Sequence, residues 1–230
     1  MAAHADLLDN HVAPSILASD FSKFGEEVAL VMDAGARVIH VDVMDGQFVP
    51  PLTFGPQVVA DLRDQVHEAG GLLDVHLMVD RPERRVAEFA KAGADCITVH
   101  IEATPHVHYA LKAVRDEGCA AGLALNPGTA ASSIDALEGA FDLLLCMTVN
   151  PGWGGQPYIE GSERKIAELR RRIGPDVALE VDGGIVTSTA GPASEAGANL
   201  FVAGSSVFGG EDPAAAYREV VEAARANRSS

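Results

Sequence analysis

No apolar run in the sequence approaches the ~20 residues that a membrane-spanning helix needs, so no membrane partner is expected. Basic residues are scarce: Lys and Arg number 17 against 33 Asp and Glu, a formal net charge of −16. Nucleic-acid binding draws on a basic surface, so that class of partner is excluded. An acidic surface promotes solubility and says little about fold. It does mean that an anionic ligand must be held by local dipoles or by a cation. Cysteine is also rare. Cys96, Cys119 and Cys146 are odd in number, lack CxxC spacing and sit in apolar surroundings. They predict buried free thiols and a reducing cytoplasm. Residues 1–10 lack the basic stretch followed by an apolar one that marks a secretory signal, and are expected to form a short flexible extension.

What is present alternates. The 230 residues are 47% hydrophobic and 22% charged, globular values, and suffice for one large α/β barrel or two small domains. Strands are predicted over 12–18, 38–43, 72–77, 96–100, 120–125, 143–149, 177–181 and 200–203. Helices are predicted over 21–34, 58–68, 82–91, 106–117, 130–139, 162–173, 188–196 and 213–226, the first capped by Ser19 or Asp20. Eight strand–helix units are the count of a (β/α)8 TIM barrel. No linker divides the chain, so one domain over 1–230 is expected. An Ala-Gly-Ala string recurs between helix and strand at 34–36, 92–94 and 196–198, where Gly suits a helix C-terminus. A doubly wound sheet would show GxGxxG after its first strand. Ala18-Ser19-Asp20 offers none.

In such barrels the active groups lie at the C-terminal ends of the strands. Side chains alternate along a strand, so His40, Asp42 and Met44 share one face of the second. Asp74, His76 and Met78 share one face of the third. Cys146 or Met147 ends the sixth, and Glu180 and Asp182 close the seventh. Buried Asp is rare unless paired or metal-bound. Two imidazoles and two carboxylates, His40, Asp42, His76 and Asp182, suit one divalent ion. Zinc comes first, with iron, manganese or cobalt as alternatives. The same groups also fit a hydrogen-bonded polar layer capping the barrel, with His40 and Asp42 bonded to each other. Asp74 and Glu180 read as outer partners that orient ligands. Gly152, Gly154 and Gly155 follow strand six, Gly183 and Gly184 strand seven, and Gly204 strand eight. Glycine lets backbone N–H groups approach an anion, and loops after strands seven and eight commonly hold phosphate in these barrels. With no Lys or Arg in those loops, backbone dipoles must hold it. Asp45 is expected to hold the turn at Gly46, and Trp153 to be a loop anchor or a substrate wall. His100 is assigned to core or rim, His106 and His108 to solvent. His4, His11 and His67 carry no pattern.

Six strings recur in order: Ala13-Pro14-Ser15-Ile16-Leu17, His40-Val41-Asp42-Val43-Met44-Asp45-Gly46, Asp74-Val75-His76-Leu77-Met78-Val79, Val149-Asn150-Pro151-Gly152-Trp153-Gly154-Gly155-Gln156, Glu180-Val181-Asp182-Gly183-Gly184 and Val202-Ala203-Gly204-Ser205. Together, over about residues 11–225, they resemble the ribulose-phosphate 3-epimerase family. The resemblance implies a metal-dependent barrel enzyme that interconverts D-ribulose 5-phosphate and D-xylulose 5-phosphate, needs no organic cofactor and forms dimers or hexamers. It implies His40, Asp42, His76 and Asp182 as metal ligands, with Asp42 and Asp182 as the two acid/base carboxylates. It implies substrate contacts at Ser15, His76, Gly152, Trp153, Gly154, Gly155, Asp182, Gly183, Gly184, Gly204 and Ser205, and a lining of Met44, Met78 and Met147. The chain departs from the family pattern at Thr148, where Ser is common, at Trp153, where Phe is usual, at Pro51, where Asn is usual, and at Gly191-Pro192, which interrupts the start of the seventh helix. These departures remove no catalytic match but leave a ketohexose 6-phosphate as the alternative sugar; a non-catalytic phosphosugar-binding barrel is the alternative class. A decarboxylase or aldolase would want a well-placed Lys, whereas Lys23 and Lys91 fall in predicted helices.

Overall fold

In the computed structural model of the chain, residues 7–8 and 11–226 are described. β-branched and apolar runs form eight strands: β1 His11–Pro14, β2 Val38–Met44, β3 Leu72–Met78, β4 Cys96–His100, β5 Ala120–Leu125, β6 Leu143–Met147, β7 Ala178–Asp182 and β8 Leu200–Ala203. The helices are α1 Phe24–Asp33, α2 Pro56–Glu68, α3 Val86–Ala92, α4 Val107–Asp116, α5 Ser162–Ile173, α6 Thr187–Glu195, α7 Ser205–Phe208 and α8 Pro213–Arg225. All strand pairs are parallel, in the order β1-β8-β7-β6-β5-β4-β3-β2. A parallel bridge between Ser15 and His40 joins the two ends of this sheet, so the fold is the expected barrel.

Four expected elements differ. The first strand stops at Pro14, not residue 18, and Ile16–Ala18 form a 3-10 turn capped by the Ser15 hydroxyl. Proline removes a backbone donor and ends the ladder. The first helix starts at Phe24 rather than 21, without a side-chain cap, because Asp20 instead accepts from Ser22. The third helix is split into a 3-10 turn, Pro82–Arg84, and α3. The fifth is a 3-10 segment, Ala131–Leu137. By contrast, α6 runs through Gly191 and Pro192 without a break.

The core lies in two shells. Ile39, Val41 and Val43 of β2, with their equivalents around the barrel, pack outward against the helices. The inward face is wholly apolar at its base. There Val38, Cys96, Leu143 and Leu200, which begin β2, β4, β6 and β8, pack together with the fully buried Leu7. Alternate strands supplying one layer is the packing rule of these barrels. Within the expected N-terminal extension only Leu7 and Leu8 are described; the remainder of 1–10, including His4, lies outside the described residues. The Ala-Gly-Ala glycines Gly35, Gly93 and Gly197 all have φ near 110–115°, the conformation that ends a helix on glycine. The three cysteines are buried and free.

Candidate active site

One step above the apolar base, the inward face turns polar. His40, Asp74, His76, Thr98, His100 and Glu180 are all fully buried inside the barrel. Strand register creates this layer: His40 lies beside Asp74, and Asp42 beside His76. The upper end of the barrel opens into a cleft with a cavity volume of about 180 Å³. Ser15, Asp42, Met44, Met78, Met147, Gly152, Trp153, Gly154, Gly155, Asp182, Gly183, Gly184, Gly204 and Ser205 line it. His40 and His76 lie beneath its floor, fully buried. The structure thus gathers every sequence-predicted site residue at one strand end. It also resolves the sixth strand: Met147 faces the cleft, whereas Cys146 packs outward. Sequence reasoning missed Leu17, Ala18, Val149, Pro151, Gln156, Ile185, Val186 and Val202, which complete the wall. Most are plain neighbours of the glycines, with no chemical signal of their own. It assigned His100 to core or rim; the side chain is fully buried, and its Nε2 lies 2.8 Å from His76 Nε2. Its inward parity on β4, two residues past Thr98, was the available signal.

The four predicted ligands form a cluster whose donor atoms all lie within 4.8 Å of one another. His40 Nδ1 is 2.6 Å from Asp74 Oδ2 and 3.5 Å from Glu180 Oε1. An ionised carboxylate only accepts, so Nδ1 carries a proton, and Nε2 points inward. Nε2 has no hydrogen-bond partner and is 3.3 Å from Asp42 Oδ1. His76 Nδ1 is 3.1 Å from that same oxygen and 3.7 Å from Asp182 Oδ2. Asp42 Oδ2 accepts from the Ser15 hydroxyl at 2.6 Å. Asp74 thus stands behind His40 as its orienting group, with Glu180 beside the ring.

The electrostatics are uneven. Burial would raise Asp42, but the His40 charge and the hydrogen bond with His76 hold its carboxyl well below the usual range. Burial, then the Asp42 charge, push Asp182 up to about 7. Burial and the Asp74 charge push Glu180 well above its ordinary value. Burial lowers His76 to about 4. Burial would lower His40 as well, but the Asp42 and Asp74 charges outweigh it and raise His40 well above its ordinary value. The cluster is therefore short of positive charge and holds extra protons to compensate. Metal ligands must be deprotonated, and a bound cation replaces such protons. The orphaned His40 Nε2, the carboxylate behind its ring and the two oxygens opposite fit a divalent ion.

The upper loops need glycine. Gly183 and Gly184 have φ of 120° and 66°, and a Cβ on Gly184 would lie 2.4 Å from the Tyr158 backbone nitrogen. Trp153 is 58% exposed at the cleft edge, so it is not a buried anchor. Gln156 ties its loop by donating to the Asn150 and Trp153 carbonyls at 2.7 and 2.9 Å. Asp45 holds the turn before it, accepting from the Gln47, Phe48 and Asp80 backbone N–H groups.

The fold is shared with a crystal structure of KGPDC from Streptococcus mutans, at a TM-score of 0.75 and 18% identity, covering 96% of this chain and 99% of that one. Sequence relatives are much nearer. The ribulose-phosphate 3-epimerase of Escherichia coli K12 is 46% identical over 217 residues, covering 93% of this chain and 94% of the relative. That of Bacillus subtilis 168 is 46% identical over 213 residues, covering 91% and 97%. The model of the ribulose-phosphate 3 epimerase family matches residues 11–208. With the inward histidines and aspartates inside that match, the chain belongs to the ribulose-phosphate 3-epimerase family and is an enzyme.

Proposed function

We propose that the chain interconverts D-ribulose 5-phosphate and D-xylulose 5-phosphate, removing a proton from C3 on one face and returning one on the other. The observation that carries this is the pair Asp42 and Asp182, which face one cleft with opposite proton affinities. Carboxyls driven apart in this way divide the roles of base and acid between them. A proton beside a ketone leaves as the carbonyl becomes an enediolate, so no redox cofactor is required. His40, Asp42, His76 and Asp182 would hold one divalent ion, zinc first among the candidates. When bound, that ion supplies positive charge for the enediolate oxygens.

The remaining roles belong to the chain. Ser15 fixes the Asp42 carboxylate through its 2.6 Å hydrogen bond. Met44, Met78 and Met147 give the cleft floor a lining that excludes water and offers no competing proton. The substrate phosphate is placed on the backbone N–H groups of Gly183-Gly184 and Gly204-Ser205, where close approach needs no side chain. Trp153, at the open edge, bears on the length of sugar accepted.

Turnover in D2O is expected to place deuterium at C3 of both sugars. Epimer formation without deuterium uptake would overturn the two-carboxylate route. The ratio of kcat/KM for the pentulose 5-phosphates and the corresponding ketohexose 6-phosphates decides the sugar.

A further inference from the structure

The strand ends that carry Asp42 and Asp182 are each tied by one threonine hydroxyl. β2 loses its neighbour early on one edge: β1 stops at Pro14, and the bridge between them joins Ser15 to His40. In a parallel ladder one residue of a neighbouring strand would accept from the Met44 N–H and donate to the Asp42 carbonyl. Thr53 Oγ1 makes both bonds with one atom. It accepts from the Met44 N–H at 2.9 Å and donates to the Asp42 carbonyl at 2.8 Å. The Thr53 N–H donates to the Met44 carbonyl at 3.3 Å, and the Gly46 N–H to the Pro51 carbonyl at 2.9 Å. The segment bearing Thr53 is thereby laid along the end of β2.

At β7 the tie comes from the residue just past β6. Thr148 is fully buried. Its N–H donates to the Asp182 carbonyl at 2.8 Å, which carries the β6–β7 ladder one step further. Its hydroxyl proton lies between two carbonyl oxygens, that of Asp182 at 2.9 Å and that of Gly183 at 2.6 Å, as a three-centre bond. Gly183 turns there with a φ of 120°, and a Cβ on it would come within 2.4 Å of Val149. The turn after Asp182 is drawn against the residues after β6 by close contact as well as by hydrogen bonds. Ser, common at 148 in the family pattern, carries the same hydroxyl, so Thr in its place leaves the tie intact.

We propose that Thr53 and Thr148 are positioning residues for the two proton carriers. Each hydroxyl fixes the backbone carbonyl of one carboxylate-bearing residue, Thr53 that of Asp42 and Thr148 that of Asp182. Neither threonine is among the residues that line the cleft, so neither touches substrate. A carboxylate reaches the reacting carbon from its own Cα, and a misplacement of about 1 Å costs about 10²-fold in rate. The inference deepens the proton-carrier reading above and rests on it for its effect on rate. The ties themselves stand on the hydrogen bonds.

The test compares alanine with serine at each position in the whole chain, because the two differ only by the hydroxyl. Thr53→Ala and Thr148→Ala are each expected to lower kcat for D-ribulose 5-phosphate about 10- to 100-fold, at saturating Zn2+ and well below the melting temperature. KM is expected to stay within about threefold, since the cleft lining is untouched. Thr53→Ser and Thr148→Ser are expected to recover most of the loss. Amide hydrogen exchange reads the ties directly. It is expected to quicken at the Met44 N–H in Thr53→Ala, and at the N–H of position 148 in Thr148→Ala. Folded alanine variants that keep the parent kcat, or serine variants no better than the alanine ones, would overturn the proposal. Where an alanine variant does not fold, the cysteine variant replaces it, with a thiol that hydrogen-bonds weakly; the same losses are expected, and a parent-like kcat overturns the proposal. A parent that epimerises without deuterium uptake at C3 would sink the proton-carrier reading. Amide exchange then decides the ties alone, and unchanged rates at both positions overturn them.

Discussion

Asp42 serves three neighbours with two oxygens. Oδ1 faces His76 at 3.1 Å and His40 at 3.3 Å, Oδ2 accepts from Ser15 at 2.6 Å, and the strand beside it supplies His76 itself. Asp182 has no such crowd and is 17% exposed at its side chain. The two carboxylates are therefore unequal before any substrate arrives. Replacing either by Asn keeps the shape and removes the proton carrier. Asp42→Asn and Asp182→Asn are each expected to lower kcat by about 10²- to 10⁴-fold, measured by coupled assay. Asp182→Asn should retain more Zn2+ than Asp42→Asn, because it leaves the His40–Asp42–His76 contacts intact. Asp74 acts one residue further out. Its carboxylate fixes the His40 ring at 2.6 Å and both groups are fully buried. Asp74→Ala is expected to weaken Zn2+ binding about 10- to 100-fold in a chelator competition, with KM for the sugar changing less than the metal affinity. Retained Zn2+ affinity in that variant would remove Asp74 from the orienting role.

At the scale of elements, the end of β2 is held by one side chain. Asp45 accepts three backbone N–H groups, from Gln47 and Phe48 in its own turn and from Asp80 beyond β3. Burial raises its carboxyl, but these bonds outweigh burial and hold it below the usual range. A depressed folded pKa gives stability that is present above the unfolded value, about 3.9, and is lost as the pH falls through the folded one. Asp45→Ala is therefore expected to cost about 1–2 kcal/mol near neutral pH, after allowing for solvent at a part-exposed site. The gap should close in urea melts below pH ~4. Inside β5, Gly122 lies beside Thr98, and a Cβ there would come within 2.0 Å of the Thr98 hydroxyl. Gly122→Ala is expected to destabilise by about 1–3 kcal/mol, with Thr98→Ala recovering part of it. Such pairings are invisible along the chain, since 98 and 122 meet only through register. Hydrophobic periodicity located all eight strands, because a buried parallel strand is a continuous apolar run. It extended the first strand past Pro14 because Ile16 and Leu17 are apolar. They are apolar for another reason: Ile16 is buried in the outer core and Leu17 borders the cleft. The 130–139 segment has helical spacing at Ile134 and Leu137, yet is a 3-10 segment that those residues pin to the barrel.

For the whole molecule, the order of β–α units was enough to foresee a closed barrel, and barrel geometry then told which strand ends to read. His40, Asp42, His76 and Asp182 were legible because a buried polar group on an apolar strand is anomalous wherever it stands. His100 was as anomalous but lay at a strand end, where a rim role explains it equally well. Its complete burial and the 2.8 Å approach to His76 separate the two. Net charge remained a separate quantity. The chain carries −16, and the proposed substrate is a dianion. Attraction would be confined to backbone dipoles and, when bound, the proposed cation inside the cleft, while the acidic surface repels. The Debye length falls from about 30 Å at 0.01 M salt to about 8 Å at 0.15 M. Repulsion by surface charge acts over lengths of this order, whereas the contacts within the cleft are a few ångströms long. Raising salt should therefore remove repulsion and leave binding contacts in place. kcat/KM for the sugar phosphate is expected to rise about two- to fivefold between those concentrations, with a neutral salt and fixed Zn2+. A fall instead would mean that the cleft draws its substrate in by long-range attraction, and that the phosphate meets positive charge beyond the backbone dipoles and the ion.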